Sequence, residues 1–325
     1  MGRSCTGSTW STLASSRGRC SPSRPTPSNS LGRRAPRAYA RDVGEVEMTP
    51  TDRPLLVGAT AADPANVVTI WNAMRRWFED HGMPFEYGLF STYDALCRAL
   101  LDGLVDVAWN APMAHAQSLL ASRGSCQTLA MRDTDQDVAT VVIALSGSGI
   151  TTVEDLRGRT VAVGVPTSTE LRLIPAHQLR AQGFDLEADC AHAGIEPRAA
   201  SNGQRWVDDF LIFDAVKDGR ADAGVIFEPW LAHLVRKRGL APADVTVVWR
   251  SEPFCHCAFT ARPGLPDGDA ARFVELLTEM DPSDPALTEM MRLEHVTRWL
   301  PARDDGWDGV IDAIRAGHLE GATFI

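Results

Sequence analysis

Along most of the chain, short apolar runs alternate with longer segments in which apolar residues recur every three or four positions. That alternation predicts strands followed by amphipathic helices, the pattern of an α/β fold built from βαβ units. Leu55-Leu56-Val57-Gly58 predicts a strand, and 66–80 a helix with Val67, Ile70, Trp71, Met74, Trp77 and Phe78 at helical spacing. A strand over 85–89, a helix over 93–101 and a strand over 105–109 follow. The last ends at Asn110-Ala111-Pro112, where proline suits the first turn of a further helix. The nearly pure apolar run 138–145 suits a strand crossing between lobes.

A second cycle starts over 151–156, a short helix with a threonine cap and early acids. Gly158 stops it and a strand over 160–164 comes next. Helices fit 169–182 and 206–217, and strands fit 223–227 and 245–249. The last of these returns toward the first lobe, which a mostly helical remainder from Pro266 closes. The expected architecture is therefore α/β and two-lobed, of the periplasmic-binding-protein type 2, with a ligand cleft between the lobes and two hinge crossings. Residues 51–137 and 250–325 form lobe 1, 138–249 form lobe 2, and 1–50 stand outside both. A length of 325 residues suits two lobes better than one small core.

Charge narrows the partners. The net charge is −10, yet residues 1–41 hold eight arginines and no acid, which leaves −18 (−10 less 8) on 42–325. So acidic a body argues against nucleic acid, whose phosphates need a basic field. A small anion in a local ring of donors remains compatible. No apolar run approaches the roughly 20 residues of a membrane-spanning helix. Residues 1–47 are rich in Ser, Arg and Pro and lack the apolar core of a secretory signal. They read as a disordered or spurious extension with Met48 as initiator. On that reading the body begins without an export signal, and a cytoplasmic location stands beside a periplasmic one. Seven cysteines, two of them in that segment, do not read as a disulfide framework.

Five segments carry a resemblance: Val105-Asp106-Val107-Ala108-Trp109-Asn110-Ala111-Pro112; 153–164 with its Asp155-Leu156 and Val163-Gly164; Pro166-Thr167-Ser168-Thr169 with Pro175 nine residues after Pro166; Gly219-Arg220-Ala221-Asp222-Ala223-Gly224; and Val248-Trp249-Arg250-Ser251-Glu252-Pro253. Their order and spacing resemble the phosphonate/phosphate substrate-binding proteins of ABC transporters over about 270 residues. The resemblance implies a monomeric solute-binding protein that captures a small oxyanion between two lobes, with an ABC permease as partner and neither cofactor nor catalytic residue. Such a family is periplasmic or extracytoplasmic.

Hydroxyls and unpaired backbone N–H groups at a helix start make a natural oxyanion cradle. Thr167, Ser168 and Thr169 are its candidates here, though Ser168 or Thr169 also reads as a plain N-cap. Tyr93, where the family often presents an aromatic side chain to the cleft, joins Asn110 and His256 as candidates from the other lobe. Capping or packing is the alternative for Tyr93, and a turn role for Asn110. The family continues its cradle Ser-Thr-Ser-Gly where this chain has Thr169-Glu170-Leu171-Arg172. An ionised Glu170 repels a phosphonate unless it points outward, pairs with Arg172 or meets a cationic or hydroxyl part of the ligand. Asp209 and Glu228 are candidates for an amine, with helix capping the alternative for both.

Phe254-Cys255-His256-Cys257-Ala258-Phe259 is the least ordinary stretch. Cys255, His256 and Cys257 can hold a soft metal, but on a strand the two cysteines face one side and His256 the other. Structural thiols beside one cleft histidine is the leading reading. Two alternatives to transport remain: a cytosolic enzyme of the same fold in cofactor biosynthesis, resembling the thiamine-pyrimidine synthases, or a cytosolic ligand sensor. Against the first, the sequence shows no nucleophile–base constellation and little lysine.

Overall fold

The computed structural model describes residues 53–61, 65–193 and 207–317. The segment 1–50, expected to be disordered or spurious, lies outside the described residues.

Two sheets organise the chain. In the first, β1 (Leu55–Thr60), β2 (Phe85–Phe90) and β3 (Val107–Asn110) run parallel, with β1 in the middle. β10 (Ala258–Ala261) lies antiparallel between β3 and β4 (Gln127–Arg132), and β11 (Trp299–Pro301) pairs with β4 at the edge. The second sheet has the order β7-β6-β8-β5-β9, from β5 (Thr140–Leu145), β6 (Thr160–Ala162), β7 (Ala191–Ala193), β8 (Ala223–Phe227) and β9 (Val245–Arg250).

Helices cover both sheets as their periodicity requires. α1 (Val67–Asp80) buries Val67, Ile70, Trp71, Ala73, Met74 and Phe78. Phe78 stacks on Phe85 of β2 and on Phe273 of α8 (Asp267–Thr278), at ring distances of 4.8 and 5.1 Å. α2 (Tyr93–Leu101) is capped by Thr92, whose hydroxyl accepts the Ala95 N–H, and α3 (Pro112–Ala121) opens on its proline. α4 (Ile174–Ala181), α5 (Leu186–Asp189), α6 (Val207–Lys217) and α7 (Glu228–Lys237) accompany the second sheet. α9 (Thr288–Leu293) buries Met290 and Met291 in the first core. α10 (Asp308–Ala316) instead places Val310, Ala313 and Ile314 with the residues of the second core. The apolar stripe of this helix packs on α3, from the stretch 51–137, and on α4, from 138–249.

The chain passes from β4 to β5 through 133–139 and returns from β9 to β10 through 251–257. These two segments run side by side as a short antiparallel ribbon. Val138 and Phe254 exchange both backbone hydrogen bonds, at 3.0 and 2.9 Å, and the His256 N–H donates to the Asp135 carbonyl at 2.8 Å. His256, Cys257 and Asp135, discussed below, lie on this ribbon.

Candidate functional site

The returning crossing delivers His256 and Cys257 just before β10, opposite the end of β3 where Asn110 pairs with Ala258. The outgoing crossing delivers Asp135. His256 Nδ1 stands 3.1 Å from Cys257 Sγ and 3.2 Å from Asp135 Oδ1, and its Nε2 lies 4.0 Å from Glu170 Oε2. The ring leans on Phe227 at 4.9 Å, and the side chain is 16% exposed. Asp135 is fixed from behind by Arg132, whose Nε and Nη2 donate at 2.6 and 2.8 Å; the same guanidinium reaches the Glu294 carbonyl at 2.8 Å.

Lobe 2 supplies the opposite wall. Ahead of α4 the chain makes a π turn, Thr169–Leu173, with the Leu173 N–H bonded to the Ser168 carbonyl. Pro175 offers no N–H to the carbonyl of Leu171, and that carbonyl accepts the Gly164 N–H at 3.0 Å instead. The Glu170 carbonyl accepts the Thr140 hydroxyl at 2.6 Å. Both bonds clamp the turn to the sheet and aim the Glu170 side chain at His256. The approach is close: a Cβ on Gly164 would stand 2.6 Å from Leu171 Cβ. Asp208 and Asp209 lie in the first turn of α6, and Asp209 accepts at 2.9 Å the N–H of Phe227, on which the His256 ring leans.

Electrostatics bind this group together. Burial raises the Asp209 carboxyl to about 8, with the charges of Glu170 and Asp208 adding to it against the Phe227 N–H. Burial and Glu170 raise Asp208 as well. For His256 burial opposes the charged ring, yet the Cys257 sulfur, Asp135 and Glu170 outweigh it and hold the imidazolium up to about 10. Burial likewise opposes the Asp135 carboxylate, and Arg132 and His256 overcome it, so Asp135 stays ionised. The cleft wall thus combines one imidazolium with several converging acids.

Of the residues singled out in the sequence, the structure gathers Glu170, Asp209 and His256. Glu170 does not pair with Arg172, which bonds Glu187 through Nε and Nη2 at 2.7 and 2.6 Å. Ser168 caps, its hydroxyl accepting the Leu171 N–H at 3.2 Å; Thr169 is buried beside it and Thr167 is exposed. Glu228 lies apart, tied to Arg250 Nε at 2.8 and 3.0 Å. Tyr93 packs half-buried against the cluster of Leu96 and Leu100. Asn110 is wholly buried; its amide N–H donates to Thr260 Oγ1 at 3.0 Å, and its Oδ1 has no hydrogen-bond partner. The Thr260 hydroxyl continues to His115 Nδ1 at 2.8 Å, where burial pushes the imidazole down to about 3 and keeps it neutral.

Two corrections concern the cysteines. The crossing is not a regular strand at 255–257, so the expected alternation fails: Cys257 converges with His256, and Cys255 points away among Met131, Ala258 and Trp307. The Cys257 sulfur within 3.1 Å of the His256 ring is a contact that the sequence did not reveal. Sequence reasoning also missed Arg132 and Asp135. Their signal was slight: two opposite charges three residues apart at the end of an apolar run.

Residues 57–307 match the family model described as the phosphonate periplasmic substrate-binding protein of ABC transporters. The chain belongs to that family. Solved structures share the fold. PhnD1 from Prochlorococcus marinus in complex with methylphosphonate is 14% identical with a TM-score of 0.61, over 81% of this chain and 97% of that one. The binding protein component of an ABC phosphonate transporter from Pseudomonas aeruginosa is 15% identical with a TM-score of 0.55, over 81% and 86%. The periplasmic aliphatic sulphonate binding protein SsuA from Escherichia coli is 14% identical with a TM-score of 0.53, over 82% and 92%. As a member of the phosphonate substrate-binding family, this chain is a solute-binding protein of the ABC transporter type. The matches support this reading, and not the enzymatic or sensory alternatives. Among the described residues, no helix is long and apolar enough to cross a membrane.

Proposed function

We propose that this protein captures a small solute bearing both an oxyanion and an amine, an aminoalkylphosphonate in chemistry, and presents it to an ABC permease in the periplasm. The observation that carries the reading is the Glu170 carboxylate 4.0 Å from His256 Nε2, with Asp208 and Asp209 near enough to feel the charge of Glu170. A bare alkylphosphonate would meet the Glu170 carboxylate close by in a partly dry cleft, a costly like-charge contact. An ammonium group turns the same contact into attraction and offsets the Glu170 charge that, after burial, adds to the raising of Asp208 and Asp209. The His256 imidazolium is the positive partner for the oxyanion. The acids belong to lobe 2 and His256 to the hinge ribbon, so a solute touching both favours the closed arrangement of the lobes.

Isothermal titration calorimetry at neutral pH tests the assignment, with an aminoalkylphosphonate compared against an alkylphosphonate of equal chain length. The amino compound is expected to bind at least tenfold more tightly, since a charge-assisted hydrogen bond contributes about 1.5–3 kcal/mol. Equal or tighter binding of the alkylphosphonate would refute the acidic half of the cleft as a recognition element.

A further inference from the structure

Where the two crossing segments pass each other, three ligating atoms of different chemistry converge. They are one carboxylate oxygen of Asp135, a ring nitrogen of His256 and the sulfur of Cys257, and no two of them are more than 4.8 Å apart. In a tetrahedral zinc-type site, with bonds of roughly 2.0–2.3 Å, neighbouring ligand atoms stand roughly 3.3–3.8 Å apart. His256 Nδ1 is 3.1 Å from the sulfur and 3.2 Å from Asp135 Oδ1. Two edges of the triangle therefore already have nearly the required length, and the third is no longer than 4.8 Å. The geometry points to a binding site for one soft divalent transition-metal ion at the hinge, held by Asp135, His256 and Cys257 with a fourth position left to water.

The surroundings fit such an ion. Metal-bound histidines commonly present their second ring nitrogen to a carboxylate, and ligating carboxylates are themselves held by outer donors. Glu170 stands 4.0 Å from His256 Nε2, and Arg132 holds Asp135 through two bonds while leaving a lone pair free on each oxygen. The Arg132 charge is offset by Asp135 and Glu294, the latter 3.3 Å from Nη1. A thiolate in the donor set selects zinc, cobalt(II) or copper over magnesium and calcium. Cys255 takes no part; a Cβ on Gly306 would stand 2.6 Å from its sulfur, which is packed on the other side of the ribbon.

The site takes the Nδ1 side of His256, whereas the proposed solute contacts lie on the Nε2 side with Glu170. It joins the two crossings, one ligand coming from the outgoing segment and two from the returning one, so an occupied site ties together the strands about which the lobes move.

Cobalt(II) titration of the full chain, without solute, tests the site through the near-ultraviolet thiolate-to-cobalt charge-transfer band. The expected result is a saturable one-to-one band that zinc abolishes, that Cys257→Ser removes and that Cys255→Ser retains. No band in the unmodified protein, a band that survives Cys257→Ser, or one that Cys255→Ser removes would overturn the assignment. A second measurement avoids substitution altogether: zinc should slow alkylation of Cys257 by iodoacetamide, read by peptide mass, at least tenfold. Equal rates with and without zinc would overturn it.

Discussion

Asp106 is a buried carboxylate with three outside partners. Arg53 donates twice, at 2.8 and 2.5 Å, Arg262 donates through Nε at 2.9 Å, and the Leu56 N–H donates at 3.0 Å. Burial works against the charge, but the two arginines and the backbone N–H win, and the carboxyl stays below its usual range. The native state therefore holds the proton less tightly than the unfolded chain. The stabilisation is complete above the ordinary aspartate value of about 4 and is lost as pH falls through the depressed native value. Because Arg53 is half exposed, its charge is not stranded when the acid is removed. Asp106→Asn should therefore cost about 1.5–3 kcal/mol in urea denaturation at pH 7 rather than the full penalty of a broken buried pair. The difference from the parent should shrink toward acid pH; a constant difference would contradict the charge-based origin. None of this was legible in Val105-Asp106-Val107, because the arginines lie 53 and 156 positions away. His256 differed: its neighbours Cys255 and Cys257 drew notice to it, while Asp135 and Glu170 reached it only through the fold.

At the scale of elements, the turn before α4 shows what periodicity conveys and what it hides. The apolar spacing over 169–182 predicts one continuous helix. Its first turn is π, since Pro175 withholds a hydrogen bond and the sheet supplies substitutes through Thr140 and Gly164. Those partners are distant in the chain, so local pattern could not show them. The consequence is functional, because Glu170 sits on that turn. Gly164→Ala should push Leu171 away, cost about 1–3 kcal/mol of stability by overpacking, and weaken solute binding by displacing Glu170. Chemical denaturation and calorimetry on the same variant check both; unchanged stability and affinity would show that the close approach is not required. Strands with continuous apolar runs, such as β5 and β8, were plain in the sequence. β4, with its mixed Gln127-Thr128-Leu129-Ala130-Met131-Arg132, and the three-residue β11 carry too little pattern to stand out, and no local signal places β10 between β3 and β4.

Over the whole molecule, the two-sheet architecture and the pair of crossings were readable because strand and helix signals alternate in two cycles separated by the apolar run 138–145. The cleft chemistry was readable only in part. Hydroxyls at 167–169 suggested an oxyanion cradle, yet Ser168 is spent on its own turn, and the acids that crowd the cleft come from segments far apart in the chain. Glu170 was legible as a departure from the family pattern, and in the structure that departure faces the one imidazolium of the gathered group. The selectivity of Glu170→Gln measures its role most directly. The ratio of affinities for an aminoalkylphosphonate and the matching alkylphosphonate should be about tenfold or more in the parent and should fall close to one in the variant, mainly through tighter binding of the alkylphosphonate. A ratio unchanged by the substitution would contradict the assignment of Glu170 as the group that selects a cationic solute.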